Sequence, residues 1–151
     1  MKKLLTGLGV IAFAIVLVML AVSGLDYVLS DDVKAYTRLI MHDMYKEDKI
    51  DSIFLGTSHI YRGINPEITD EVWDENTFDV SSALQDIDGS LAMLKEAHKS
   101  ADIDACFFEI SWRKVNTDKE ERMKETTTTY IISDYMKPSR DKVSYLLDAV
   151  E

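Results

Sequence analysis

The hydrophobic pattern divides the chain near residue 25. Residues 4–25, LLTGLGVIAFAIVLVMLAVSGL, contain no charged residue, and roughly 20 helical residues suffice to cross the hydrocarbon core of a bilayer. Lys2 and Lys3 precede the run. Ala21-Val22-Ser23 would suit cleavage of a secretory signal peptide. The apolar stretch, however, exceeds the roughly 7–15 residues of such a peptide's core, and this favours an uncleaved signal anchor. The two lysines are then expected to stay cytoplasmic, with residues from 26 onward on the outer face of a cell membrane.

After residue 25 the apolar positions become periodic. Ser30 reads as an N-cap and Asp31 and Asp32 as acidic residues at the positive end of a helix dipole. Val33, Tyr36, Ile40 and Met44 recur at helical spacing, which predicts an amphipathic helix over 31–47 with His42 off its stripe, at the surface. Three short apolar runs follow, Ile50 to Leu55, Thr77 to Val80 and Ala105 to Ile110, each ending at polar or turn residues. The third, ACFFEI, is almost continuously apolar, as in a parallel strand covered on both faces. Pro66 to Trp73 suits a short helix with proline in its first turn. Ile87, Leu91, Leu94 and Ala101 mark a helical face over 86–102, with His98 at its edge, expected to be part-buried and hydrogen-bonded.

The order strand, helix, strand, helix, strand predicts a parallel α/β sheet. Beyond it, Thr117 to Arg122 reads as a capped, charged helix, and the threonine run 126–129 carries no chemistry. Val143, Leu146, Leu147 and Val150 predict a last amphipathic helix that is still running at Glu151. Its apolar face needs a cover, so the pattern predicts an incomplete domain. Three segments result: an anchor over 1–25, a juxtamembrane helix over 26–48, and the N-terminal part of an α/β domain over 49–151.

Charge narrows the partners. Of 17 basic residues two precede the apolar run, leaving 15 against 27 acidic ones, about 12 net negative charges on the exported part. This argues against nucleic acid, which demands a basic surface, and disfavours close binding to anionic lipid heads beyond the anchor. The single cysteine, Cys106, has no internal disulfide partner and is expected to be buried and structural.

Candidate chemistry concentrates where the first strand ends, in Gly56-Thr57-Ser58-His59. Ligands of open parallel sheets gather at the carboxyl ends of the strands; a glycine there permits a tight turn, and the amides after it can point at an oxyanion. A phosphate-binding P-loop needs two glycines five apart followed by lysine, and an α/β-hydrolase elbow needs glycine two places after the serine, where Ile60 stands. His42, His59 and His98 are scattered without metal-ligand spacing, so no metal is expected. A turn that merely satisfies its own backbone is the plain alternative to a nucleophile.

The block Gly56-Thr57-Ser58-His59-Ile60-Tyr61-Arg62-Gly63-Ile64-Asn65-Pro66 resembles the first block of membrane-anchored members of the SGNH/GDSL hydrolase superfamily, relatives of cell-envelope O-acyltransferases and esterases. Phe78-Asp79-Val80-Ser81-Ser82-Ala83-Leu84-Gln85 is similar to their second block, and the likeness spans about residues 26–113. The resemblance implies a three-layer α/β/α domain of SGNH or flavodoxin-like type. It implies Ser58 as nucleophile, the backbone amides of Ser58 and Ser81 as an oxyanion hole, an envelope glycan as substrate and no cofactor. Two features depart from the family. Ile110-Ser111-Trp112-Arg113 lacks the third block's asparagine, for which Asn116 is the nearest candidate, and no histidine follows His98 to form the family's Asp-x-x-His motif. A serine without a base is a poor nucleophile, so this chain alone is expected to be inactive or nearly so. The rival expectation is a non-catalytic anchored scaffold of an envelope polysaccharide modification or export complex.

Overall fold

The computed structural model describes residues 2–29, 35–110 and 126–148, and falls into two compact units, residues 1–33 and 34–151. The first holds helix α1, Lys2–Leu29. Within it Thr6–Leu25 is long and apolar enough to cross a membrane by length and composition, and none of that stretch is buried in protein. The helix continues past Leu25, since nothing from Asp26 to Leu29 breaks it.

The first described element of the second unit is α2, Ala35–Met44, which stops short of the expected end at 47 and is turned by about one residue; the expected start, Ser30 to Val33, lies outside the described residues. Thr37, Met41 and Met44 face the core, and Tyr36 is exposed. Strand β1, Lys49–Leu55, leads through α3, Ser58–Gly63, and α4, Pro66–Trp73, to β2, Thr77–Asp79. Asn65 caps α4 by accepting from the Glu67 amide, with Pro66 at the first helical position, where its missing N–H costs nothing. Helix α5, Ile87–Ala97, capped by Asp86, then leads to β3, Asp102–Phe108. Two further helices follow, α6, Thr126–Ser133, and α7, Arg140–Asp148. The expected helix over 117–122 and Asn116 lie outside the described residues.

The three strands form one parallel sheet in the order β2-β1-β3. Ile53 pairs with Phe78 on one side and Cys106 on the other. Ile53 and Leu55 join the main core with Met41, Met44, Val80, Met93, Ala97 and Ile132. Phe54 points to the opposite face, as pleating requires, and meets Trp73 of α4 and Phe107 at ring distances of 5.9 and 5.2 Å.

Four expectations are corrected. β3 is not covered on both faces; it is the sheet's edge, and Phe107 and Phe108 are 46% and 38% exposed. Cys106 is exposed for the same reason. The buried face of α5 comprises Gly89, Ser90, Ala92, Met93, Glu96 and Ala97, with Ile87 and Leu91 outside and His98 exposed just past the helix. In α7 the inward residue is Tyr145, and Val143 and Leu147 face solvent. In α5 the small residues on the buried face let Ile132 and Tyr145 come close to Gly89, and that proximity outweighs the apolar stripe.

Candidate active site at the carboxyl ends of the strands

The chain leaves β1 toward β2 on one side and returns by way of α5 to β3 on the other. The connections therefore part between β1 and β3, and the crevice at such a switch point opens at the strands' carboxyl ends. Three backbone bonds draw the segments together there. Val80 N donates to Phe54 O at 3.0 Å, Ser82 N to Gly56 O at 3.2 Å, and Glu109 N to Leu55 O at 2.9 Å. Gly56 is what this approach requires. A Cβ at position 56 would stand 2.6 Å from Glu109 Cβ, 2.6 Å from Ile60 Cγ1 and 2.7 Å from Glu109 Oε2.

Glu109, the residue after β3, organises the turn. Its Oε2 accepts from the Thr57 amide at 2.7 Å and the Thr57 hydroxyl at 2.8 Å, and its Oε1 lies 3.0 Å from His59 Nδ1. Thr57 Oγ1 also accepts from the His59 amide, the N-cap bond of α3. Partial burial pushes the Glu109 carboxyl up, but the Thr57 amide, the His59 ring and the Thr57 hydroxyl outweigh it and hold the group below its ordinary range.

Ser58 stands at the start of α3, half-buried, and its hydroxyl makes no hydrogen bond among the described residues. Its amide is likewise one of the helix's orphan donors. Ser81 does come beside the first block, but its amide and hydroxyl both donate to Asp79 Oδ1, at 2.8 and 2.5 Å. A carbonyl oxygen would have to displace that carboxylate to use the Ser81 amide. Burial pushes the Asp79 carboxyl up, and the Ser81 hydroxyl and amide pull it back in part. Beneath, the fully buried Gln85 donates to Ser90 Oγ at 3.0 Å, while Ser82 Oγ and Gln85 Oε1 have no hydrogen-bond partner among the described residues.

A cleft of about 920 Å³ runs beside β2 and reaches this end of the sheet, lined by Tyr36, Tyr61, Arg62, Asn65, Asp70 and Asp79 among others. The Tyr36 and Tyr61 rings stand 4.9 Å apart and Arg62 lies 5.6 Å over the Tyr61 ring. Partial burial of its hydroxyl end, helped by the charges of Asp79 and Tyr61, pushes the Tyr36 hydroxyl up to about 12. No group of three or more His, Cys, Asp or Glu residues fit to hold a metal ion occurs among the described residues.

The sequence singled out Ser58 and Ser81 and missed Glu109 and Thr57. Glu109 had a signal: it is the lone charge in ACFFEI, at the carboxyl end of an apolar strand, where a ligand-facing group belongs. No family model, curated protein or solved structure matches the chain.

Proposed function

We propose that this is a membrane-anchored α/β protein of SGNH-like, three-layer type whose crevice carries out acyl-ester hydrolysis or O-acyl transfer on an envelope glycan, with Ser58 as the attacking group. The observation that carries the reading is the placing of an unbonded serine hydroxyl and its unbonded amide at the switch point of a parallel sheet. The order β2-β1-β3 and the cover of Trp73 on the second face support the fold type. The charge-free run within α1 supports an anchor, and Lys2 and Lys3 before it favour an outer placing of the crevice. The tyrosine and carboxylate lining of the neighbouring cleft suits a sugar, which offers a flat apolar face and a fringe of hydroxyls. Ser58 would attack the ester carbonyl, form an acyl-enzyme, and release the acyl group to water or a sugar hydroxyl. A serine-directed fluorophosphonate should label the full chain, and Ser58→Ala should abolish the label; equal labelling of the two would refute the reading.

A second reading, a non-catalytic scaffold, draws on the open edge of β3, whose exposed phenylalanines suit pairing with a partner strand. It requires that Ser58→Ala leave the cellular phenotype intact while removal of residues 4–25 abolishes it.

A further inference from the structure

The reading above leaves Ser58 without a base, and the Thr57–Glu109–His59 cluster beside it without a task. An ionised carboxylate only accepts hydrogen bonds, so the ring nitrogen facing Glu109 Oε1 is the protonated one. The same logic covers the second contact of that nitrogen, 3.2 Å from Thr57 Oγ1, because the Thr57 hydroxyl proton is already given to Glu109 Oε2. His59 is thus held as the tautomer protonated at Nδ1, with the lone pair of Nε2 turned away from its carboxylate. Among the described residues nothing bonds Nε2, and the His59 side chain is 79% exposed while Glu109 is only 16% exposed. A largely buried acid that orients an accessible imidazole is the arrangement that proton transfer needs.

Consecutive residues on a helix do not face each other, and no hydrogen bond joins Ser58 to the His59 ring. The imidazole therefore does not take the serine proton directly. Proton transfer from Ser58 to this ring would have to pass through one hydroxyl-bearing molecule between the two side chains.

We infer that His59, oriented by Glu109, is the proton acceptor of this crevice, and that it works through a water or sugar hydroxyl lodged between its Nε2 and Ser58 Oγ. The inference rests on the ester-transfer reading. In acylation the Ser58 proton passes to the bridging water, which gives one of its own to Nε2. The Oγ–carbon bond forms, the ester C–O bond breaks, and the departing alkoxide takes the proton from Nε2. In the second half the bridging hydroxyl gives its proton to Nε2 as its oxygen attacks the acyl carbon. The Oγ–carbon bond breaks, and Ser58 Oγ recovers the proton from Nε2 through the next solvent molecule. His59 is the catalytic residue of this scheme and Glu109 a positioning residue.

Two measurements on the full chain in detergent test it. The first compares p-nitrophenyl acetate hydrolysis and fluorophosphonate labelling in the wild type and His59→Gln. The ring is exposed, so the variant is expected to fold, and both rates should fall by about 10² to 10⁴. Wild-type labelling at Ser58 with an unchanged rate in His59→Gln would overturn the inference alone; no labelling and no hydrolysis by the wild type would overturn the underlying reading with it. The second measurement needs no activity. A ¹H–¹⁵N correlation spectrum of the neutral imidazoles, with His59 assigned by its loss in His59→Gln, should show the proton on Nδ1, and Glu109→Gln should shift it toward Nε2. A wild-type ring protonated at Nε2 would overturn the inference whatever the enzyme assays return.

Discussion

At the scale of single residues, Gly56 and Glu109 set the turn. Gly56 is needed for space: a methyl there meets the Glu109 side chain and Ile60 well inside van der Waals contact. Gly56→Ala should destabilise the fold by about 1–3 kcal/mol, the usual cost of overpacking, measured by urea denaturation. It should also loosen the Thr57 and His59 bonds to Glu109. The Glu109 carboxyl titrates below its ordinary value of 4.5 in the folded chain, so between those two values the unfolded chain binds more protons. Its contribution to stability is therefore complete above about 4.5 and is lost as pH falls through the folded value. Denaturation midpoints measured across that acid range should fall less steeply in Glu109→Gln than in the wild type. Ser58 and Gly56 were legible in the sequence because a glycine and hydroxyls after an apolar run have local meaning. Glu109 was legible only as a lone charge at the end of an apolar strand; what it holds was not, because its partners Thr57 and His59 are some fifty positions away and only strand pairing brings them together.

Among the elements, α5 is tied to its neighbours by a buried carboxylate rather than by its leucines. Glu96 is fully buried, accepts from the Tyr45 hydroxyl at 2.6 Å and the Lys137 amide at 3.0 Å, and pairs with Lys99. One acid thereby joins α5 to the loop before β1 and to the segment between α6 and α7. Removing the carboxylate takes from Lys99, the Tyr45 hydroxyl and the Lys137 amide their shortest bonds and leaves them Ser139, the Tyr135 carbonyl and the Tyr45 oxygen, so Glu96→Ala should cost about 3 kcal/mol, the lower end for breaking a buried pair. Tyr45→Phe removes the hydroxyl's bond to the Glu96 carboxylate and its longer contacts with the Tyr135 carbonyl and the Lys137 amide, and should cost about 1.5–3 kcal/mol, since the carboxylate keeps Lys99 and the Lys137 amide. Chemical denaturation of both variants checks the ranking, and a milder effect for Glu96→Ala than for Tyr45→Phe would contradict it. Leu94 does pack against the core, but Ile87 and Leu91 misled because periodicity reports that a helix has two faces, while the close approach of Ile132 and Tyr145 to Gly89 determined which face turned inward.

At the scale of the molecule, the open edge of β3 is the main liability of the second unit. Phe108 is exposed on a seven-residue parallel strand whose outer side pairs with no strand among the described residues, and such edges invite pairing. A lysine placed there blunts an edge, so Phe108→Lys should raise the concentration at which the detergent-solubilised chain self-associates, as read by sedimentation velocity. Equal self-association of variant and wild type would exclude this edge as the cause. The sequence by itself determined the charge-free helix, the three strands, the proline-led helix α4 and the alternation that makes the sheet parallel. These follow from hydrophobic period, chain length and capping, all properties of neighbouring residues. Tertiary structure alone decided that β1 lies central and β3 at the edge, that Cys106 is exposed, and which sides of α5 and α7 turn inward. It also decided that Glu109 meets Thr57 and His59. The reason is common to all four: each depends on groups far apart in the chain that only strand pairing and helix packing make neighbours, and no local pattern encodes that meeting.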